Sequence, residues 1–310
     1  MMDVYCSLGL IVCIVLIGMG LAVQAGAATI AWMSQIGAWA VRKPFWDKFG
    51  LQMLGLSMTV FVGAVICVLL AVGLGYVCFD LQPNKMVWEL PWLALTWPLG
   101  GLGLGLLFSF VAVKTWKPLK RRKGIQAVLL IPAWACLWAG MYVGLNQAFG
   151  GQFSLGAQTG LPSLAALWKP PLCSVWALLA GQALAVGLGG AGTLGMIYLL
   201  VRRQAEDYGR DYYRFALPAA AKWGVLLLGQ AFFLAWVVYR QVQAAWLLPR
   251  QEMISLSVAL GGFVLYGLLL IVFVRSANPL RAKASALGAS MCGIAAGAAA
   301  TLSQIWLLGW

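Results

Sequence analysis

Residues 51–76 read LQMLGLSMTVFVGAVICVLLAVGLGY, with no charged side chain anywhere between Lys48 and Asp80. A helix rises ~1.5 Å per residue, so about 20 such residues cross the ~30 Å hydrocarbon core of a bilayer. The uncharged run over 51–76 is long enough to span.

The same texture recurs outward in both directions. Hydrophobic residues make up 63% of the 310, charged residues 9%, and the mean hydropathy is +0.89. A soluble domain carries about a quarter charged residues, so the composition excludes a water-facing exterior. The expected fold class is an all-α integral membrane protein with eight transmembrane helices, at roughly 8–32, 51–76, 91–113, 125–148, 172–200, 219–239, 254–274 and 286–308. The charge-free interval from Asp3 to Arg42 exceeds one bilayer crossing, so its end is expected to continue into the interface around Ser34–Trp39. Met1-Met2-Asp3 has no basic n-region, so the first span does not read as a cleaved signal.

Basic residues alternate between the two sides. Arg42, Lys43, Lys48, Lys114, Lys117, Lys120, Arg121, Arg122, Lys123, Arg202, Arg203, Arg210, Arg214, Lys222, Arg275, Arg281 and Lys283 fall on one side, seventeen in all. Only Lys85, Lys169, Arg240 and Arg250 fall on the other. Basic loops stay cytoplasmic, which puts both termini on the periplasmic side of a bacterial inner membrane. The net charge of +13 is then a topology signal that also touches anionic lipid, and it carries no implication of nucleic acid. Lys120, Arg121, Arg122 and Lys123 form the densest cluster and are the expected contact for a lipid head group or acidic partner. Many of the sixteen Trp, among them Trp46, Trp88, Trp92, Trp116, Trp168 and Trp223, sit near span ends, where interfacial belts account for them.

The two halves match at an offset of 161–166 residues. Trp46, Lys48 and Phe49 correspond to Tyr212, Arg214 and Phe215, and Lys117-Pro118-Leu119-Lys120 to Asn278-Pro279-Leu280-Arg281. Gly100-Gly101 corresponds to Gly261-Gly262, Val113-Lys114 to Val274-Arg275, and Glu89 to Glu252. The common order predicts a tandem duplication: a first four-helix bundle over 1–150, an outer linker over 151–171, and a second bundle over 172–310. Four spans per unit is even, so both copies face the same way, a parallel repeat. Gly101-x-x-x-Gly105, Gly293-x-x-x-Gly297 and the run Gly187 to Gly192 are expected to let helices approach closely inside the bundles.

Side chains of the common catalytic chemistries are sparse. There is no histidine, the usual haem and zinc ligand and near-neutral proton shuttle. The eight acids all fall in loops or at span ends, not mid-membrane where a proton path would place one. The seven cysteines form no CxxC pair; Cys6, Cys78 and Cys173, near the outer face, are the candidates for a disulfide. No phosphate-cradling or nucleophile-elbow motif occurs, so no self-contained enzyme and no metal site is expected. Among the polar exceptions, Gln24, Gln182 and Gln230 lie inside spans and are expected to hydrogen-bond between helices. Glu89, Glu252, Asn146, Gln147 and Gln24 are the candidates for contact with a quinone or a partner.

Local text adds a resemblance. Leu16-Ile17-Gly18 with Ala22-Val23-Gln24-Ala25-Gly26, and Ile131-Pro132 through Gly144-Leu145-Asn146-Gln147 to Gly151-Gln152-Phe153, resemble the membrane subunits of cytochrome bd-type quinol oxidases, chiefly over spans one to four. The likeness is nearest to subunit II, which in that family is largely haem-free. The family carries an acid where Gln24 or Ala25 stands here, so the resemblance implies architecture rather than a proton path. Subunit I binds its haems partly through histidines, and this chain has none. The expected function is a non-catalytic integral subunit of a bacterial respiratory complex, packed against a haem- or cluster-bearing partner and in contact with a quinone. The alternatives are a small-solute transporter or channel with its path between the bundles, and a membrane assembly factor.

Overall fold

The computed structural model describes residues 2–79, 92–119, 122–149, 180–206, 208–243, 250–276 and 278–307, and every regular element among them is helical. Helix α1 is Met2–Val41, α2 Pro44–Phe79, α3 Trp92–Thr115 and α4 Lys123–Phe149. Helix α5 covers 180–202 and contains a π turn at Ala185–Gly189. Helix α6 covers 210–243 and passes through a 3-10 turn at Val225–Leu228. Helix α7 is Arg250–Arg275 and α8 is Lys283–Leu307. Seven of these contain stretches long and apolar enough to cross a membrane; the apolar described part of α3, Leu99–Thr115, is shorter. The chain is a multi-pass helical membrane protein.

The ends of the helices follow from local chemistry. Helix α1 runs unbroken through Ser34–Trp39, as its charge-free length predicts, and stops where Arg42 takes φ +55°. Pro44, with φ already fixed and no N–H to lose, opens α2, and Asp47 in its first turn complements the helix dipole. The expected sixth span, 219–239, is corrected: its helix begins at Arg210, directly after Gly209 at φ +87°. Tyr212, Tyr213, Ala216, Leu217, Ala220 and Ala221 are all buried, which is a helical period, while Arg210, Asp211, Arg214 and Lys222 point outward. Charge counting put a loop where an amphipathic face carries the helix on.

Large hydrophobic side chains are exposed along one face of the apolar helices. On α7, Val264, Leu268 and Val272 are 64%, 57% and 58% exposed at a spacing of one turn, while Phe263, Tyr266, Leu270 and Phe273 are buried behind them. In water such a stripe would be an association surface; on a membrane helix it is the solvent-facing side. Inward, α1 packs on α2, α4 and the π turn of α5, α3 on α4, α5 on α6 and α8, and α7 on α8.

Small residues set these contacts. A Cβ on Gly101 would lie 2.9 Å from Gly140 Cα, and one on Gly262 the same distance from Ala296 Cβ. Gly105 accommodates Leu137, whereas in the α7–α8 pair the large residue is on the other side, with Gly293 accommodating Tyr266. Gly101, Gly105 and Gly293 are therefore used in close approaches between neighbouring helices. The domain boundary expected at 151–171 lies outside the described residues.

Candidate functional site

A seam forms where α5 meets α1 on one side and α6 on the other, backbone to backbone. A Cβ on Gly26 would sit 2.0 Å from the Gly187 carbonyl oxygen, and one on Gly187 would sit 2.8 Å from that of Ala22. On the other side of α5, a Cβ on Gly189 would be 2.1 Å from Leu227 N and one on Gly192 2.3 Å from Gly224 N. The π turn of α5 thus lies against the 3-10 turn of α6. Two departures from α geometry in mid-span, in contact with each other, are of the kind that recurs at functional sites.

Buried amides surround the seam. Gln24 on α1 and Gln230 on α6 are fully buried, and Gln182 at the head of α5 is nearly so. Neither Nε2 nor Oε1 of Gln24 or Gln230 meets a protein hydrogen-bond partner among the described residues, and the same holds for Gln182 Oε1. Among the described residues, the interhelical hydrogen bonds expected of the Gln24 and Gln230 side chains are not made. Gln230 Oε1 and Met19 Cε both lie 3.2 Å from where a Gly297 Cβ would be, so α1, α6 and α8 converge at that amide. A buried amide without a partner costs about 1–3 kcal/mol, which makes these positions stand out in an otherwise apolar core.

A second polar layer closes the basic-loop end. Lys123 Nζ, at the start of α4, lies 2.5 Å from Asp47 Oδ1 at the start of α2, with both side chains about 15% exposed. Lys123 also donates to Gln126 Oε1 and sits over the Trp116 ring, while Gln35 Nε2 donates to Asp47 from α1. Beside this network, Phe215 packs against Phe45, Trp46 and Phe49, with Trp46 the nearest at 4.9 Å between centroids. Tyr212 donates to Gln52 Oε1. The residues matched between halves in the sequence, Trp46 and Phe49 with Tyr212 and Phe215, thus gather in one aromatic cluster. In the adjoining loop, burial pushes the Tyr208 hydroxyl up to about 12, and its hydrogen bond to Glu206 adds to the effect.

A third cluster ties α5, α6, α7 and α8. Tyr266 Oη donates to the Gly224 carbonyl and hydrogen-bonds Thr193 Oγ1, each at 2.8 Å, and Ser290 Oγ approaches the Thr193 carbonyl at 3.1 Å. Replacing Tyr266 by Phe keeps the ring and removes the Oη bonds. The expected loss is about 1–2 kcal/mol, an order-of-magnitude figure for buried bonds, read as a drop of a few degrees in the detergent melting temperature.

The residues singled out in the sequence do not converge. Gln24 lies at the seam. Asn146 and Gln147 are within α4 and Glu252 within α7, but their side chains, like Glu89, Lys120 and Arg121 entirely, lie outside the described residues. Arg122 is exposed, whereas Lys123, grouped with it as a head-group contact, is engaged by Asp47. Cys6, Cys78 and Cys173 also lie outside the described side chains; Cys13, Cys67, Cys136 and Cys292 are free thiols. Among the described residues no three His, Cys, Asp or Glu side chains gather. Gln35, Gln52 and Gln126 were given no role from the sequence; only Gln126, one turn after Lys123 at the start of α4, carried a local signal, an amide beside a charge at a helix start. No family model, curated protein or solved structure matches this chain. Its class is therefore defined by its own geometry, a glycine-crossed bundle of membrane helices.

Proposed function

We propose that the chain is a non-catalytic integral subunit of a bacterial inner-membrane redox complex, packing against a haem- or cluster-bearing partner and touching its quinone. In this reading the eight described helices are eight spans, arranged as two same-facing quartets with both termini periplasmic.

The observation that carries the reading is the seam. Gly26 and Gly187, at which α1 and α5 cross, are 161 positions apart, as are Gly101 and Gly262. The neighbours repeat in the same sense: α1 with α2 and α4 as α5 with α6 and α8, and α3 with α4 as α7 with α8. That pattern supports two copies of one unit joined along their first helices. A tightly packed scaffold is what a structural partner requires. A solute path between the quartets would have to pass where backbones already touch, so the transport reading is weaker.

The seam amides are the chain's own groups best suited to a quinone. A quinone carbonyl in a water-poor site needs a donor, and Gln24 Nε2 and Gln230 Nε2 are donors not committed to a described protein partner. Gln230→Leu is expected to leave folding intact, or firmer by up to about 1 kcal/mol, because no protein hydrogen bond is lost. It should also lower the quinone extracted from the purified complex. Unchanged quinone content would remove Gln230 from the contact.

The wider proposal is tested by isolating the tagged chain from native membranes. A stoichiometric redox partner should accompany it, and the separated chain should show no haem absorbance of its own. Isolation without such a partner, or haem bound to the lone chain, would overturn it. Cysteine labelling from outside the cell tests the orientation: residue 42 and the loop after Thr115 should be protected.

A further inference from the structure

Away from the seam, a groove of about 620 Å³ runs along the basic-loop half of α6 and against the start of α2. Phe215, Pro218 and Trp223 of α6 and Trp46 of α2 give it apolar walls, and Arg214 and Lys222 bring cations to it. Lys222 lies within Arg210–Trp236, a stretch apolar and long enough to cross a membrane. Ionisable residues inside spans almost always face the bundle interior and pair there. Lys222 instead faces outward, and among the described residues it has no ion pair or hydrogen bond.

We infer that this groove binds one anionic phospholipid, its phosphate held between Lys222 and Arg214 and one acyl chain lying along Phe215, Pro218 and Trp223. Eight residues of helix separate the two cations by about 12 Å along the axis, and both side chains are long enough to lean toward a common phosphate. Arg214 donates to Asn278 Oδ1 at 3.0 Å and lies 3.9 Å from the largely exposed Asp211 carboxylate. With five N–H donors, its guanidinium keeps capacity for a phosphate. Trp46, at the start of α2, is the kind of side chain that settles at the headgroup level of a bilayer. Charge and shape together favour lipid over a protein partner. A helix filling the groove would have to bring an acid into an apolar wall, whereas a phospholipid supplies charge and hydrocarbon in that order. The inference needs only that α6 crosses a bilayer, so it stands or falls apart from the redox reading.

The test is native mass spectrometry of the full chain released from nanodiscs containing phosphatidylglycerol and phosphatidylcholine in equal amounts. Phosphatidylglycerol should be retained preferentially, and each cation removed should lower that preference about fivefold. Lys222→Gln with Arg214→Gln should bring the two lipids near parity, while Lys222→Arg should keep the preference. Equal retention of both lipids by the wild type would overturn the inference, as would an unaltered preference in the double variant. It would also fall if the double variant lost a co-purifying polypeptide while its lipid retention stayed the same.

Discussion

Gly26→Leu is expected to abolish recovery of folded, monodisperse protein from detergent. The first atom of any side chain at this position would fall 2.0 Å from the Gly187 carbonyl oxygen, and the obstacle is backbone rather than a side chain that could rotate away. Helix α1 would have to move off α5, taking with it the contacts of α2 and α4. Overpacking a tight interior costs about 1–3 kcal/mol where neighbours can give, and here they cannot, so the loss should exceed that range. Gly18→Leu and Gly63→Leu are the controls. Both glycines are exposed, with nothing within 4 Å of a new Cβ, and the variants should elute like the wild type. A normal elution profile for Gly26→Leu would mean that α1 and α5 are not packed as described.

The second large effect is expected at Lys123. Lys123→Met leaves the Asp47 carboxylate 14% exposed without its cation, retaining, among the described residues, the 3.3 Å contact from Gln35. Removing one partner of a fully buried pair costs about 3–5 kcal/mol. Partial exposure here screens the stranded charge and puts the cost below that range, at about 2–3 kcal/mol, seen as a lowered denaturation midpoint. Asp47→Asn on the same background should recover much of the loss, because the stranded charge is gone. If the double variant is as unstable as the sum of the singles, the two residues are not coupled.

The fold was legible to the extent that hydrophobic runs and charge decide it. The first helix could be followed through Ser34–Trp39 because nothing charged interrupts it, and α1 runs there unbroken. The start of α6 was misplaced for the opposite reason. Arg210, Arg214 and Lys222 look like loop residues when counted, but with Tyr212, Tyr213 and Ala216 buried between them they are the outer face of a helix. The glycine run from Gly187 announced a close approach without naming the partner, since a small residue records available space and not what fills it. The partner is α1 on one side and α6 on the other. The candidate site was legible only in part. Gln24 and Gln230 were visible as polar residues in apolar helices, but their lack of hydrogen-bond partners among the described residues depends on which other helices pack around them. Lys123 belonged to a basic cluster in the sequence, and its pairing with Asp47 depends on how α2 and α4 are brought together by α1.

A covalent trap across the seam tests the central claim, that α1 and α5 are packed together through their glycines. A Cβ on Gly190 would lie 2.7 Å from Val23 Cγ2, which brings the two Cβ positions to about the 3.5–4.5 Å separation of a disulfide. The measurement replaces the seven native cysteines, introduces Val23→Cys and Gly190→Cys, oxidises the membranes, and cleaves at a protease site inserted in the loop between α3 and α4. The two fragments are predicted to stay linked until a reductant is added. Fragments that separate without reductant would contradict the account.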